Sequence, residues 1–294
     1  EVVDVQWPRA LPHVREIRTR APGAVLTALE HDVAFTNWSR ERLTSLPAPK
    51  RLAGYGIGRL VRVRELRLLE VCDAFFTFKQ SDVDLVGAAG VRTPGYRLSP
   101  WLQRPRDRRP SGAAGADVLF VGAFDRRQNQ WGATWLLEKV WPRVRAAAPD
   151  ARLVLAGGGA PDSLEDAAAR ADNVVMTGFV DDLADCYEPA ACVVAPVLGG
   201  AGLRFKVPQA MLYGVPLVVT PLALEGMEAA PRDCFVAITD EPGAFADGIV
   251  TALRAGPAAE RAARLAPEWV EREFSFQRSI DLVLDVHARG PQRR

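Results

Sequence analysis

Short apolar runs alternate with longer stretches in which apolar residues recur every three or four positions, and the alternation is cleaner after residue 116 than before it. "DVLFVG", "ARLVLAGGG", "NVVMTGF", "ACVVAPV" and "VPLVVT" read as buried strands. Between them lie "QWGATWLLEKVWPRVRAAAP", a helix expected to break at Pro142, then "PDSLEDAAARA", the short "DDLADCYEPA" and "RFKVPQAMLYG". Apolar strands that each feed a helix predict a parallel sheet covered on both faces, hence an α/β, doubly wound domain. Its ligand is expected at the carboxyl ends of the strands.

The first half is less regular. Val2 to Gln6 reads as a strand, "PHVREIRTR" as a helix, and "AVLTALEHD" as a second strand whose end carries His31. "GRLVRVRELRLLEVCD" places Leu60, Val63, Leu66 and Leu69 at helical spacing, "AFFTF" reads as a strand, and "SDVDLVGAAG" as a helix capped by Ser81 and ending near Gly90. Three strands are fewer than a complete domain of this class carries, so the beginning of this domain is expected to be absent from the chain. From Leu102 to Ala116, "LQRPRDRRPSGAAGA" combines Pro, Gly and charge without periodicity and reads as a linker.

A chain of 294 residues has room for two domains. The formal net charge of +1 gives no global reason to expect nucleic acid as a partner. Lysine occurs only at Lys50, Lys79, Lys139 and Lys206, so a lysine beside glycines is more informative than any arginine. Cys72, Cys186, Cys192 and Cys234 lack metal-ligand spacing and read as small core residues in a reducing compartment. No apolar run reaches the roughly 18 residues of a spanning helix and the start lacks signal-peptide features, so a cytoplasmic location is expected. The carboxylates of "DVD", Asp82 to Asp84, suit a helix first turn, and no metal or cofactor is expected.

The densest chemistry lies in "LGGAGLRFKVPQAMLYG". Gly199, Gly200 and Gly202 can take positive φ and let a ligand approach the main chain. A helix expected to begin near Leu203 directs free N–H groups toward an anion, and Arg204 and Lys206 add a planar fork and a mobile point charge. Two readings stay open on these residues alone: a diphosphate cradle, or a tight turn with solvated cations. "AGGGA", containing Gly157, has no acidic partner of the dinucleotide type and reads as a turn lining a nucleotide cleft.

From Asp117 to about Gly226 the chain resembles the carboxyl-terminal, donor-binding domain of GT-B fold retaining glycosyltransferases of family 4, the glycosyl transferases group 1. The matching pieces are "FVGAFDRRQNQWGATWLLEKVWPRVRAAAPDARLVLAGGG" and "NVVMTGFVDDLADCYEPAACVVAPVLGGAGLRFKVPQAMLYGVPLVVTPLALEGM", in that order. "WVEREFSFQRSIDLVLDVHAR" is similar to the closing helices of that family, and "LEHD" with "VCDAFFTFKQSD" more loosely to the later part of its amino-terminal domain. The resemblance implies two Rossmann-like domains facing a cleft: an acceptor-side domain over residues 1–105, a nucleotide-sugar domain over 116–275, and a closing helix over 276–294 that crosses back. It implies that a sugar moves from a nucleoside diphosphate sugar, UDP- or GDP-linked, to a saccharide, lipid-linked or small-molecule acceptor with retention of anomeric configuration.

The same resemblance assigns roles. Arg204 and Lys206 match the cations on the donor diphosphate, and Gly200, Ala201 and Gly202 the turn around phosphates and sugar, with Gly122 at the first glycine-bearing strand end. Gln209 stands where a carboxylate meets the ribose hydroxyls, Ala201 where the first carboxylate of that pair stands, and Val180 in the loop that meets the nucleobase. His31 matches an amino-domain histidine near the donor sugar; by its own chemistry it reads equally as a satisfied polar residue.

Three departures bear on activity. Many members carry a Gly-Arg pair and a following Lys where this chain has Gly122, Ala123 and Gln128, although "RRQN" with "GAGLRFK" fits a subgroup that shifts the cationic duty to the later loop. Gln209 loses the charge-assisted interaction of a carboxylate. These features, with the short amino half, keep a non-catalytic sugar-nucleotide-binding or partner-binding protein as the alternative. Arg51, Arg59, Arg62, Arg64 and Arg67 offer a basic face for peripheral contact with the inner face of a membrane, interrupted by Glu65 and Glu70. Trp131, Trp135 and Trp141 suit packing better than a sugar platform, and His13 and His287 read as surface residues.

Overall fold

A computed structural model describes residues 1–31, 33, 35, 48–106, 116–200 and 202–291, with only the backbone described over 48–53. The chain divides into two compact units, one comprising 1–101, 199–203 and 275–294, the other 102–198 and 204–274.

The first unit runs β1 (Val2–Gln6), α1 (Val14–Arg20), β2 (Val25–Glu30), α2 (Ala48–Leu69), β3 (Ala74–Thr77), α3 (Gln80–Ala88) and β4 (Gly95–Arg97). The four parallel strands lie in chain order, β1-β2-β3-β4, one wing of a doubly wound sheet. Leu26, Ala28 and Phe75 pack on one face against Val14, Leu68, Leu69 and Val86. Thr27, alternating to the other face, has its hydroxyl 3.4 Å from His287 Nε2 on α11 (Phe276–Ala288), where Ser279 Oγ also accepts Ser99 N–H at 2.7 Å. His287 is therefore half-buried rather than a free surface residue.

Two other local expectations change. β4 is a fourth strand that no apolar run announces; its Gly95 is needed because a Cβ there would stand 2.2 Å from Phe75 Cζ. Helix α3 is capped by Lys79, and Ser81 lies inside the first turn. Buried Lys79 pairs with buried Asp82 at 3.2 Å and so starts the helix earlier. Glu65 is buried and accepts Phe35 N–H at 3.1 Å, which removes it from the exposed face of Arg59, Arg64 and Arg67.

The second unit contains β5 (Asp117–Val121), α4 (Arg127–Trp135), α5 (Trp141–Ala147), β6 (Arg152–Ala156), α6 (Asp162–Arg170), β7 (Val174–Gly178) and α7 (Ala184–Tyr187). It continues with β8 (Cys192–Ala195), α8 (Lys206–Leu212), β9 (Leu217–Val219), β10 (Ala237–Ile238), α9 (Pro242–Leu253) and α10 (Pro257–Glu273). The parallel order is β10-β9-β8-β5-β6-β7: the chain starts at the centre, moves outward through β7, then returns to β8 and moves outward the other way. Val118, Phe120, Leu153, Leu155, Cys192 and Val194 fill the core with Leu136, Val144, Leu164 and Phe245 from the covering helices.

Pro142 does not break its helix. A π-helical turn, Leu136–Val140, joins α4 to α5, and its wider spacing places the proline at the start of α5, where its missing N–H costs little. Trp141 is buried and donates Nε1–H to Asp172 O at 2.8 Å, Trp135 meets Phe245 edge-on at 5.1 Å, and Trp131 is exposed beneath the Arg127 guanidinium. All four cysteines are free and buried; burial pushes the Cys72 thiol up to about 12. Among the described residues no helix is long and apolar enough to cross a membrane.

Candidate active site at the carboxyl edge of the second sheet

β5 and β8 are neighbours from which the chain departs in opposite directions, and such a switch point opens a crevice at their carboxyl ends. Backbone packing draws the strand ends together. Gly122 N donates to Ala156 O at 2.9 Å, Phe124 N to Gly158 O at 2.8 Å, and Gly157 N to Gly178 O at 2.9 Å. Gly157 has a φ of +141°, and a Cβ on it would lie 1.8 Å from Gly122 O. Gly132 in α4 plays the same part: a Cβ would lie 2.3 Å from Pro196 O, beyond the end of β8.

Lys206 enters this edge from the first turn of α8. Its Nζ donates to Asn129 Oδ1 at 2.9 Å and lies 4.4 Å from the centroid of the Phe120 ring. Asn129 Nδ2 donates to Ala123 O at 2.8 Å, which orients the amide oxygen toward the lysine. Gly122 makes room for that amide, since a Cβ there would stand 3.0 Å from Asn129 Cγ. Burial, then the charges of Arg204 and Arg126, push the Lys206 ammonium down to about 7. The charges acting on it are positive, so an arriving dianion relieves both the repulsion and the desolvation.

The predicted residues fall into four groups. Gly122, Gly157, Arg204 and Lys206 converge on this edge in the second unit, and Val180 follows β7 two residues after Gly178, the acceptor for Gly157 N. Gly199–Leu203 groups with the first unit; Gly200 and Gly202 have φ of +89° and +95°, and Ala201 lies outside the described residues. α8 begins at Lys206 with Phe205 as its cap, not near Leu203, because the glycine-rich stretch does not continue as helix; the helix is only seven residues long. Gln209 is buried and both polar atoms of its amide bond to the backbone of Gln103.

His31 belongs to the first unit. It stacks on Trp7 with centroids 3.8 Å apart and planes within 5°, meets Phe78 edge-on, and its pKa is lowered by burial. Trp7 itself has a φ of +73°, a strained value for so bulky a residue. Asn129 and Arg126 are site residues that the sequence reading leaves unassigned. Their signal was "RRQN" opening a helix directly after the switch-point strand.

Residues 115–255 match the family model described as Glycosyl transferases group 1. An uncharacterized 44.6 kDa protein in the cps region of Klebsiella pneumoniae is 30% identical over 132 residues, which cover 42% of this chain and 34% of that protein. The fold is similar to that of TarM from S. aureus, with a TM-score of 0.72 at 13% identity over 97% of this chain and 54% of TarM. It is also similar to Anabaena HepE in complex with UDP, with a TM-score of 0.71 at 14% identity over 98% of this chain and 78% of HepE. The chain thus spans about a third of the curated relative and about half of TarM. Taken with the two parallel-sheet units, these likenesses establish a GT-B fold, and it is within the second unit that the match to the group 1 glycosyltransferase model falls.

Proposed function

We propose that this protein transfers a sugar from a nucleoside diphosphate sugar to an acceptor, with retention of anomeric configuration, and that Arg204 and Lys206 hold the diphosphate with help from Arg126. The observation that carries this reading is a lysine at the switch point of the sheet, held by Asn129 and Phe120 and depressed to about 7 by burial and then by the charges of two arginines. UDP in the HepE crystal structure supports a uridine nucleotide as the first donor to try. As the glycosidic bond breaks, negative charge accumulates on the leaving diphosphate. Cations fixed in advance stabilise that charge more than the ground state. A leaving phosphate oxygen on the same face takes the acceptor proton in this scheme, so no carboxylate base is required. The acceptor is a saccharide, a lipid-linked sugar or a small molecule.

The test is calorimetry with UDP-, GDP- and dTDP-sugars paired with a donor-hydrolysis assay. Binding with turnover is expected. The commitment of the Gln209 amide to Gln103 favours one second reading, a sugar-nucleotide-binding protein without transfer, and binding with no turnover on any donor selects it.

Proton linkage provides a separate check on the lysine. Below pH 7 Lys206 already carries its charge, so a diphosphate binds without net proton exchange at that site. Above pH 7 the lysine is largely neutral, and the bound anion raises its affinity for a proton. Binding of a UDP-sugar, whose esterified diphosphate has no proton to lose in this range, is therefore expected to take up close to one proton at pH 8 and almost none at pH 6, read from calorimetry in two buffers of different ionisation enthalpy. Equal uptake at both values rejects Lys206 as the diphosphate ligand.

A further inference from the structure

The segment that opens the second unit, Leu102–Arg106, is bonded along α7 and α8. Gln103 N–H donates to Gln209 Oε1 at 3.0 Å, and Gln209 Nε2 donates to Gln103 O at 2.6 Å. One side chain thus satisfies both hydrogen-bonding groups of one backbone residue, as an adjacent strand would. Neighbouring bonds extend the attachment. Gln103 Nε2 donates to Asp182, Arg106 pairs with Asp182 and Asp185, Arg106 N–H donates to Glu188 Oε1 at 2.9 Å, and Tyr213 Oη donates to Arg104 O at 3.4 Å. The segment expected to be a loose linker is, over these five residues, a strap.

We propose that Gln209 is a positioning residue whose amide clamps this strap to α8, and that this duty, not contact with a donor ribose, fixes glutamine at position 209. The clamp requires one acceptor and one donor on a single side chain, at a buried site. A carboxylate supplies the acceptor for Gln103 N–H but turns a second acceptor against Gln103 C=O. Leucine supplies neither and leaves two backbone groups unpaired, the costly case for buried polar groups. This chemistry accounts for glutamine where the resembling family carries a carboxylate. Only the mention of ribose rests on the proposed function; the clamp stands on its own bonds.

A protonated carboxyl group again offers one donor and one acceptor, so Gln209→Glu turns the clamp into a pH-dependent one. Hydrogen exchange by mass spectrometry on the full chain reads the 102–106 amides, with the parent measured at each pH because Asp182, Asp185 and Glu188 also hold the strap, which itself carries Arg104 and Arg106, and Glu271 and Tyr213 face it. Relative to the parent, protection of Gln103 is expected to fall at least fivefold in Gln209→Leu and in Gln209→Glu at pH 7. In Gln209→Glu it returns as the carboxyl protonates, and in Gln209→Leu it does not. UDP affinity is expected to change less than tenfold in Gln209→Leu. Strap exchange changed less than fivefold in both variants at pH 7, or no return on acidification in Gln209→Glu, overturns the clamp, as does a tenfold or larger loss of UDP affinity with strap protection retained. If Gln209→Leu fails to fold, the acid return in Gln209→Glu decides. A parent that binds no UDP defeats the donor reading and leaves the exchange result to judge the clamp alone.

Discussion

Lys206→Ala is expected to lower glycosyl transfer by roughly 100- to 1,000-fold, the loss typical when a preorganised donor to developing negative charge is removed. The ammonium is held in place by Asn129 Oδ1 and by the Phe120 ring. Stability should move the other way. The folded-state pKa, about 7, lies below the ordinary 10.5, so between these values the unfolded chain binds the extra proton and this group's contribution to stability rises with pH. Below pH 7 the native state must bury a charged ammonium, and alanine relieves that cost. The variant is therefore expected to melt no lower than the parent at pH 6 while losing activity. Transfer near the parent level, in a variant with an unchanged circular dichroism spectrum, removes Lys206 from the mechanism.

Gly157→Ala is expected to destabilise the second unit by about 3 kcal/mol or more, enough to leave much of the protein unfolded or insoluble. Two penalties act together. The φ of +141° is open to glycine and strained for alanine, and the new methyl would lie 1.8 Å from the Gly122 carbonyl oxygen. The obstacle is backbone within the pairing of β5 with β6, so relief means moving strand ends that also carry the Lys206 site. Urea unfolding followed by circular dichroism measures the loss. A midpoint shift corresponding to less than 1 kcal/mol would show that the two turns separate easily. Gly87, in an open position of α3, is the control, because alanine there meets nothing within 4 Å.

The corrected helix start shows where local signals stop. The turn "GGAGLRF" could have entered a helix at Leu203, but the first helical residue is Lys206, and the segment before it groups with the other unit. Proline gave a similar false boundary. Pro142 signals an interruption, and a π turn absorbs it without ending the helical path. Ser81 is a sound capping residue by type, yet the buried Lys79–Asp82 pair starts α3 before it. In the last case a buried ion pair three positions apart outweighed a capping preference worth about 1 kcal/mol.

Periodicity and composition by themselves determined the alternation of apolar strands with amphipathic helices, the burial of the cysteines and the concentration of cations after β8. Those are properties of neighbours in the chain, and a repeat of hydrophobic positions records them directly. Strand order, and with it the crevice between β5 and β8, was decided only in three dimensions. So were the partners that define the site: Asn129 reaches Lys206 across 77 positions, and Gln209 meets Gln103 across 106. An amide's two hydrogen-bonding ends look the same in any sequence, and only the folded backbone opposite them decides whether they hold a ligand or hold the chain itself.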